Sequence, residues 1–302
     1  MIKTNESNIL LRHNKNSFKH LITNNNIIFL IITTFIIFIP VILTGKKGLE
    51  KLNLISEIII NINGEGNQKI LSKDFNQSPD EILINGELQN IIQFQYYLNN
   101  TENIIILRWN SSLTNCKNMF YQLSNIIKIN FSNFDSGQVT TMSYMFKDCN
   151  SLKSIYFNNI DTSSVKNMAY MFNGCSSLTT LDLSNFNTSS VTNINYMFTY
   201  CSSLISLDLS KFDTSSVVAM SNLFRGCSSL ILLNLDNFNI SSVNYLSNMF
   251  DNCFSSTSLN LSSFDLSNIT YITEMFKNCY SLKTLEFNNY HNCSIIKMNR
   301  AF

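Results

Sequence analysis

Residues Leu178–Cys201 read LTTLDLSNFNTSSVTNINYMFTYC, and this stretch decides the fold because close variants of it recur along the chain. Leu181-Asp182-Leu183 alternates apolar and polar, as a short strand with one buried face does. Asn187-Thr188-Ser189-Ser190 is a cluster of turn formers whose side chains can cap the element that follows. Val191, Ile194, Met197, Phe198 and Cys201 then fall at offsets of 0, 3, 6, 7 and 10, the spacing of one helix face. The unit is expected to be strand, turn, short helix, turn.

Working outward, the same frame repeats. Phe120, Phe146, Phe172, Phe198, Phe224, Phe250, Phe276 and Phe302 stand 26 residues apart. Met119, Met145, Met171, Met197, Leu223, Met249, Met275 and Ala301 precede them. Cysteines recur at Cys149, Cys175, Cys201, Cys227, Cys253 and Cys279, and branched residues at Val139, Val165, Val191, Val217, Val243, Ile269 and Ile295. A lone unit cannot bury both its apolar faces, but stacked copies form a continuous core. The expectation is therefore an α/β, leucine-rich-repeat-like solenoid with parallel strands about 4.8 Å apart. It occupies 116–302 as about seven repeats, the last copy incomplete.

The run C-S-S-L-x-x-L-D-L-S-x-F-x-T-S-S-V-x-x-M/I-x-x-M-F resembles the BspA-like leucine-rich repeat. It is also similar to a related domain of unknown function abundant in mycoplasma surface proteins. The resemblance covers roughly Cys116 to Phe302 and implies a cell-surface protein that binds host or matrix proteins. Three departures stand out: Cys116 is out of register while Leu123 fills the cysteine slot, Ser256 replaces the strand-leading leucine, and Cys293 replaces the turn serine.

Ahead of the repeats, Ile27–Leu43 (IIFLIITTFIIFIPVIL) carries no charge. As a helix it would span roughly 25 Å, close to the ~30 Å of a hydrocarbon core. It reads as a transmembrane signal-anchor over 27–44, ahead of a cleaved signal peptide or a core helix. Lys3, Arg12, Lys15 and Lys19 against Glu6 make residues 1–26 the more basic flank. The positive-inside rule makes them a cytoplasmic tail and puts the repeats on the extracellular or luminal side. Residues 45–115 read as a small β-rich cap, with strands at Glu57–Asn63, Glu81–Asn85 and Asn103–Trp109, and Trp109 against the first coil.

Charge excludes one class of partner. Lysine and arginine total 21 against 20 aspartates and glutamates, and the residues after Asn115 carry eleven of each. A nucleic-acid binder needs a basic stripe to neutralise phosphates, so none is expected as partner. Catalysis finds no support either: His13, His20 and His291 are isolated, and no nucleophile elbow, zinc-protease helix or phosphate loop occurs. No cofactor or metal is expected. The cysteines lack C-x-x-C spacing and read as a free, buried ladder in preference to neighbouring bridges.

Two polar columns remain. Asp135, Asp161, Asn187, Asp213, Asn239, Asp265 and His291 read as turn caps in preference to a calcium ridge. Tyr156, Asp182, Asp208, Asn234, Asn260 and Glu286 occupy the solvent side of the strands and are the candidate ligand contacts. The function expected from all this is a membrane-anchored protein that binds another protein or matrix macromolecule. The alternative is a coat or envelope protein that self-associates.

Overall fold

In the segment expected to be a helix, half the backbone N–H groups point out of it. Ile194, Tyr196, Phe198 and Tyr200 donate to the carbonyls of Ala219, Ser221, Leu223 and Arg225 in the next coil, at 2.7–3.0 Å. Between them, Met197, Thr199 and Cys201 close four-residue turns onto Ile194, Tyr196 and Phe198, at 3.1–3.2 Å. An α-helix sends every N–H to the carbonyl four residues back and keeps φ negative. Here Tyr196 and Tyr200 both sit at φ 59°. The segment is a chain of tight turns whose left-handed residues aim alternate N–H groups at the neighbouring coil. The same alternation recurs from Cys116 to Lys277.

The strand-turn-helix α/β solenoid is thereby corrected. The computed structural model describes residues 55–287, and among these there is strand, turn and coil with a single three-residue 3-10 helix, Leu266–Asn268. The spacing misled because consecutive tight turns, like a helix, return an apolar side chain to the same side every three to four residues.

The membrane placement is corrected as well. Among the described residues no helix is long and apolar enough to cross a membrane, which takes about 20 apolar residues in helical form. The expected anchor at Ile27–Leu43 and the expected cytoplasmic tail lie outside the described residues.

Strands β1 (Ser56–Asn63), β2 (Gly66–Lys69), β3 (Glu81–Ile84), β4 (Glu87–Leu88), β5 (Gln95–Leu98) and β6 (Glu102–Trp109) precede the repeats. Strand β7 (Ile126–Asn133) belongs to the first coil, β8 (Ser154–Tyr156) to the second, and β9 (Ser206–Asp208), β10 (Leu232–Asn234), β11 (Ser258–Leu261) and β12 (Thr284–Phe287) to later ones. One sheet runs β4-β3-β6-β1-β7-β8. In it β1 pairs antiparallel with β6 and β7, whereas β7 and β8 are parallel. The first coil's edge is thus covered by an antiparallel strand, which removes a row of open hydrogen-bonding groups. Ile58, Ile60 and Ile62 of β1 alternate inward. Trp109 is buried, donates Nε1–H to the Gln77 carbonyl at 2.9 Å, and meets Phe134 edge-on at 6.3 Å.

The core of the repeats is a ladder of rings. Phe120, Phe146, Phe172, Phe198, Phe224, Phe250 and Phe276 stack in sequence with centroids 5.4–5.8 Å apart. Cysteine runs beside them: Cys175 Sγ–H donates to the Phe146 carbonyl at 3.2 Å, and Cys149, Cys201, Cys227, Cys253 and Cys279 repeat the contact one coil at a time. These thiols are free. Cys116 occupies the slot that Met142 and Met168 fill in later coils, and is equally buried.

Candidate binding face

The outward column of the strands is in register. Asn130 faces Tyr156 across β7–β8, Asp208 faces Asn234 across β9–β10, and Asn260 faces Glu286 across β11–β12. Strand alternation produces this, since Leu207, Leu209, Leu259 and Leu261 point inward and their neighbours cannot.

Most of the column also has a local task. The Asp182, Asp208, Asn234 and Asn260 Oδ1 atoms accept the backbone N–H two residues on, from Ser184, Ser210, Asp236 and Ser262, at 2.9–3.1 Å. These are Asx turns that end each strand. The N–H and hydroxyl groups of Ser184 and Ser210 hold the Asp182 and Asp208 carboxyls below the usual carboxylate range, because hydrogen bonds to the anion favour it. Tyr156 is exposed and lies under Lys128, whose Nζ stands 4.8 Å from the ring centroid. Glu286 is exposed.

The column is not continuous. The coil segment Leu181–Leu183 pairs with neither β8 nor β9, so the ladder breaks there. At the break lies a depression of about 300 Å³ lined by Thr180, Leu181, Asp182, Leu183, Ser184, Ser206, Asp208 and Lys211. Two of the candidate contacts, Asp182 and Asp208, are therefore brought to one site. Tyr156, Asn234, Asn260 and Glu286 lie outside it.

The second Asx column caps turns: Asp135 accepts the Gly137 N–H at 3.3 Å. Asp161, Asn187, Asp213, Asn239 and Asp265 each accept the N–H of the serine two residues on, at 2.9–3.1 Å. His291 lies outside the described residues. Beside this column runs a ladder that the sequence reading assigned only to turns. The hydroxyls of Thr162, Thr188 and Thr214 are buried, and each bonds both the N–H and the carbonyl of one residue in the next coil.

Two further features escaped the sequence reading. Tyr144, Tyr170 and Tyr196 stack at 4.5 Å on the turn side, and burial with the flanking phenols pushes Tyr170 up to about 12. Their spacing of 26 residues was a visible signal. Ile205, Ile231 and Leu232 are 48%, 50% and 66% exposed beside the strand face. Their columns hold Thr179 and Thr257, and Thr180, Ser206 and Ser258, in other coils, and that polar company was the signal. Among the described residues no three His, Cys, Asp or Glu side chains converge as metal ligands.

A stack of near-identical coils that displays rows of repeated polar side chains defines a repeat protein whose regular product is a long, stiff surface. Residues 114–207 and 203–302 match the family described as Mycoplasma protein of unknown function, DUF285, and the chain belongs to that family. No curated protein and no solved structure matches it.

Proposed function

We propose that this chain is a binding or adhesion protein without enzymatic activity, which holds another protein or a matrix macromolecule on the outward face of its coil strands. The observation that carries the reading is the set of in-register pairs Asn130–Tyr156, Asp208–Asn234 and Asn260–Glu286. Its side chains are fixed to a backbone braced by hydrogen bonds between neighbouring coils. Such a surface binds through many modest contacts that lose little conformational freedom on association. The finer likeness of the repeat to BspA-like leucine-rich repeats, in C-S-S-L, L-D-L-S, T-S-S-V and M-F, supports the same role. Nucleic acid is not the partner on this reading, since cations and carboxylates balance at eleven each after Asn115.

The test is to present the purified full chain to an array of immobilised matrix and cell-surface proteins and follow binding by interferometry, with sedimentation of the chain alone in parallel. Saturable binding to a member of the array supports the reading. Concentration-dependent self-assembly with no saturable binding replaces it with the coat-protein alternative.

A further inference from the structure

We propose that the strand face from Asp182 to Leu232 takes an extended protein segment in which a lysine or arginine is flanked by aliphatic side chains. The inference rests on the binding role above and specifies the chemistry of the partner.

Three independent features converge on this stretch. The ladder break leaves the segment Leu181–Leu183 without a strand partner on either side among the described residues, and opens the depression of about 300 Å³. Asp182 and Asp208, in successive coils, both line it, with Lys211 at the same depression. Next to it lies apolar surface. Leu232 pairs across the ladder with Ser206, a wall of the depression, and the Ile231 N–H bonds the Ile205 carbonyl at 2.9 Å. Ile205, Ile231 and Leu232 are each about half exposed or more.

Charge selects the occupant. Residues 176–256 carry two cations, Lys211 and Arg225, against five carboxylates, Asp182, Asp208, Asp213, Asp236 and Asp251. Arg225 and Asp251 already engage each other, Nε 3.0 Å from the carboxylate, which leaves Lys211, itself at the depression, against four carboxylates. Residues 116–175 carry the opposite balance, five lysines against three aspartates. The apolar patch thus lies in the acidic part of the stack, where a partner of like sign is repelled. A lysine or arginine suits both halves of the site: its methylene stem can lie on Ile205, Ile231 and Leu232 while its head reaches Asp182 or Asp208. Those carboxylates are held in place, since the Ser184 and Ser210 N–H groups bond Oδ1 of each.

The variants that test this introduce only residues already found in the same columns. Asp182→Asn and Asp208→Asn keep the Oδ1 acceptor of the Asx turn, as Asn234 and Asn260 do naturally. Ile231→Thr and Leu232→Ser copy Thr257 and Ser258 one coil later. Neither pair should lower the melting temperature. The probes are three synthetic peptides, alternating valine–lysine, valine–glutamate and serine–lysine, titrated against the immobilised full chain. We expect the valine–lysine peptide to bind at least about tenfold more tightly than the other two, with affinity falling as salt is raised. Each double variant should cost it at least about tenfold. Equal affinity of the valine–lysine peptide for the parent chain and the Asp182→Asn, Asp208→Asn variant overturns the inference, as does equal binding of the valine–glutamate peptide. If a macromolecule from the array binds parent and both variants alike, this inference fails while the broader binding role stands. Failure of the chain to bind any array member or peptide removes both.

Discussion

The Thr188 hydroxyl serves both backbone groups of Asp213 in the next coil: its Oγ1–H donates to the Asp213 carbonyl at 3.0 Å and its oxygen accepts the Asp213 N–H at 2.9 Å. Both bonds lie close to the buried Thr188 side chain, so neither Asp213 group has water as a ready substitute. Thr188→Val keeps the shape and removes both bonds. It is expected to cost ~1–3 kcal/mol, the penalty of leaving a buried polar group unpaired. Urea denaturation measures it. An unchanged midpoint would show that the hydroxyl ladder contributes nothing.

Phe198 lies between Phe172 and Phe224, with centroids at 5.8 and 5.7 Å and planes within 4° and 3° of parallel. It is fully buried. Phe198→Ala should destabilise by ~3–5 kcal/mol through lost burial and an unfilled cavity. Because each coil contacts chiefly its neighbours, the loss should divide the unfolding transition instead of merely shifting it. Calorimetry distinguishes a split transition from a shifted one.

Gly226 sits at φ 70°, and a Cβ there would run into the Tyr200 ring. Gly226→Ala should therefore cost more than the ~1–2 kcal/mol of a left-handed non-glycine residue. Tyr200→Asn, which copies Asn252 of the same column, should return the cost of the alanine to about that backbone value. A double-mutant cycle reads the coupling directly. Additivity within error would mean that the ring is not what excludes a side chain at position 226.

Burial pushes the ladder thiols up, Cys201 to about 12 and half-buried Cys279 to about 11. An unfolded chain releases these protons near the ordinary thiol value, so the folded state holds more protons at alkaline pH. The stabilisation is complete below about pH 9 and is lost as pH climbs from there towards about 12. Melting temperature should accordingly fall above about pH 9. At neutral pH, iodoacetamide followed by peptide mapping should leave Cys116, Cys149, Cys175, Cys201, Cys227 and Cys253 unmodified until denaturant is added. Ready labelling of Cys201 in the native protein would contradict the ladder.

The apolar columns were legible because burial is written in side-chain type. Phe198, Cys201 and Val191 must face inward whatever the backbone between them does, and a spacing of 26 residues forces equivalents to meet. The alternation Leu181-Asp182-Leu183 likewise placed Asp182 outside. Yet Asp182's engagement with the Ser184 N–H was not legible, because an Asx turn and a free surface carboxylate have the same residues in the same order. The exposure of Leu232 was legible from its column, which holds Ser206 and Ser258 in the neighbouring coils.

What the chain settled alone, then, is the period, the inward rings and thiols, and the sign of charge along the stack. The destination of the N–H groups was left to the tertiary structure. The offsets between Val191 and Cys201 report only which side chains share a side, and a helix and a run of tight turns share sides alike. The carbonyls that accept from Tyr196 and Phe198 belong to Ser221 and Leu223. Partners 25 residues away exist only once the next coil is in place, and their bonds hold Tyr196 and Tyr200 in a left-handed conformation that local preference alone would refuse.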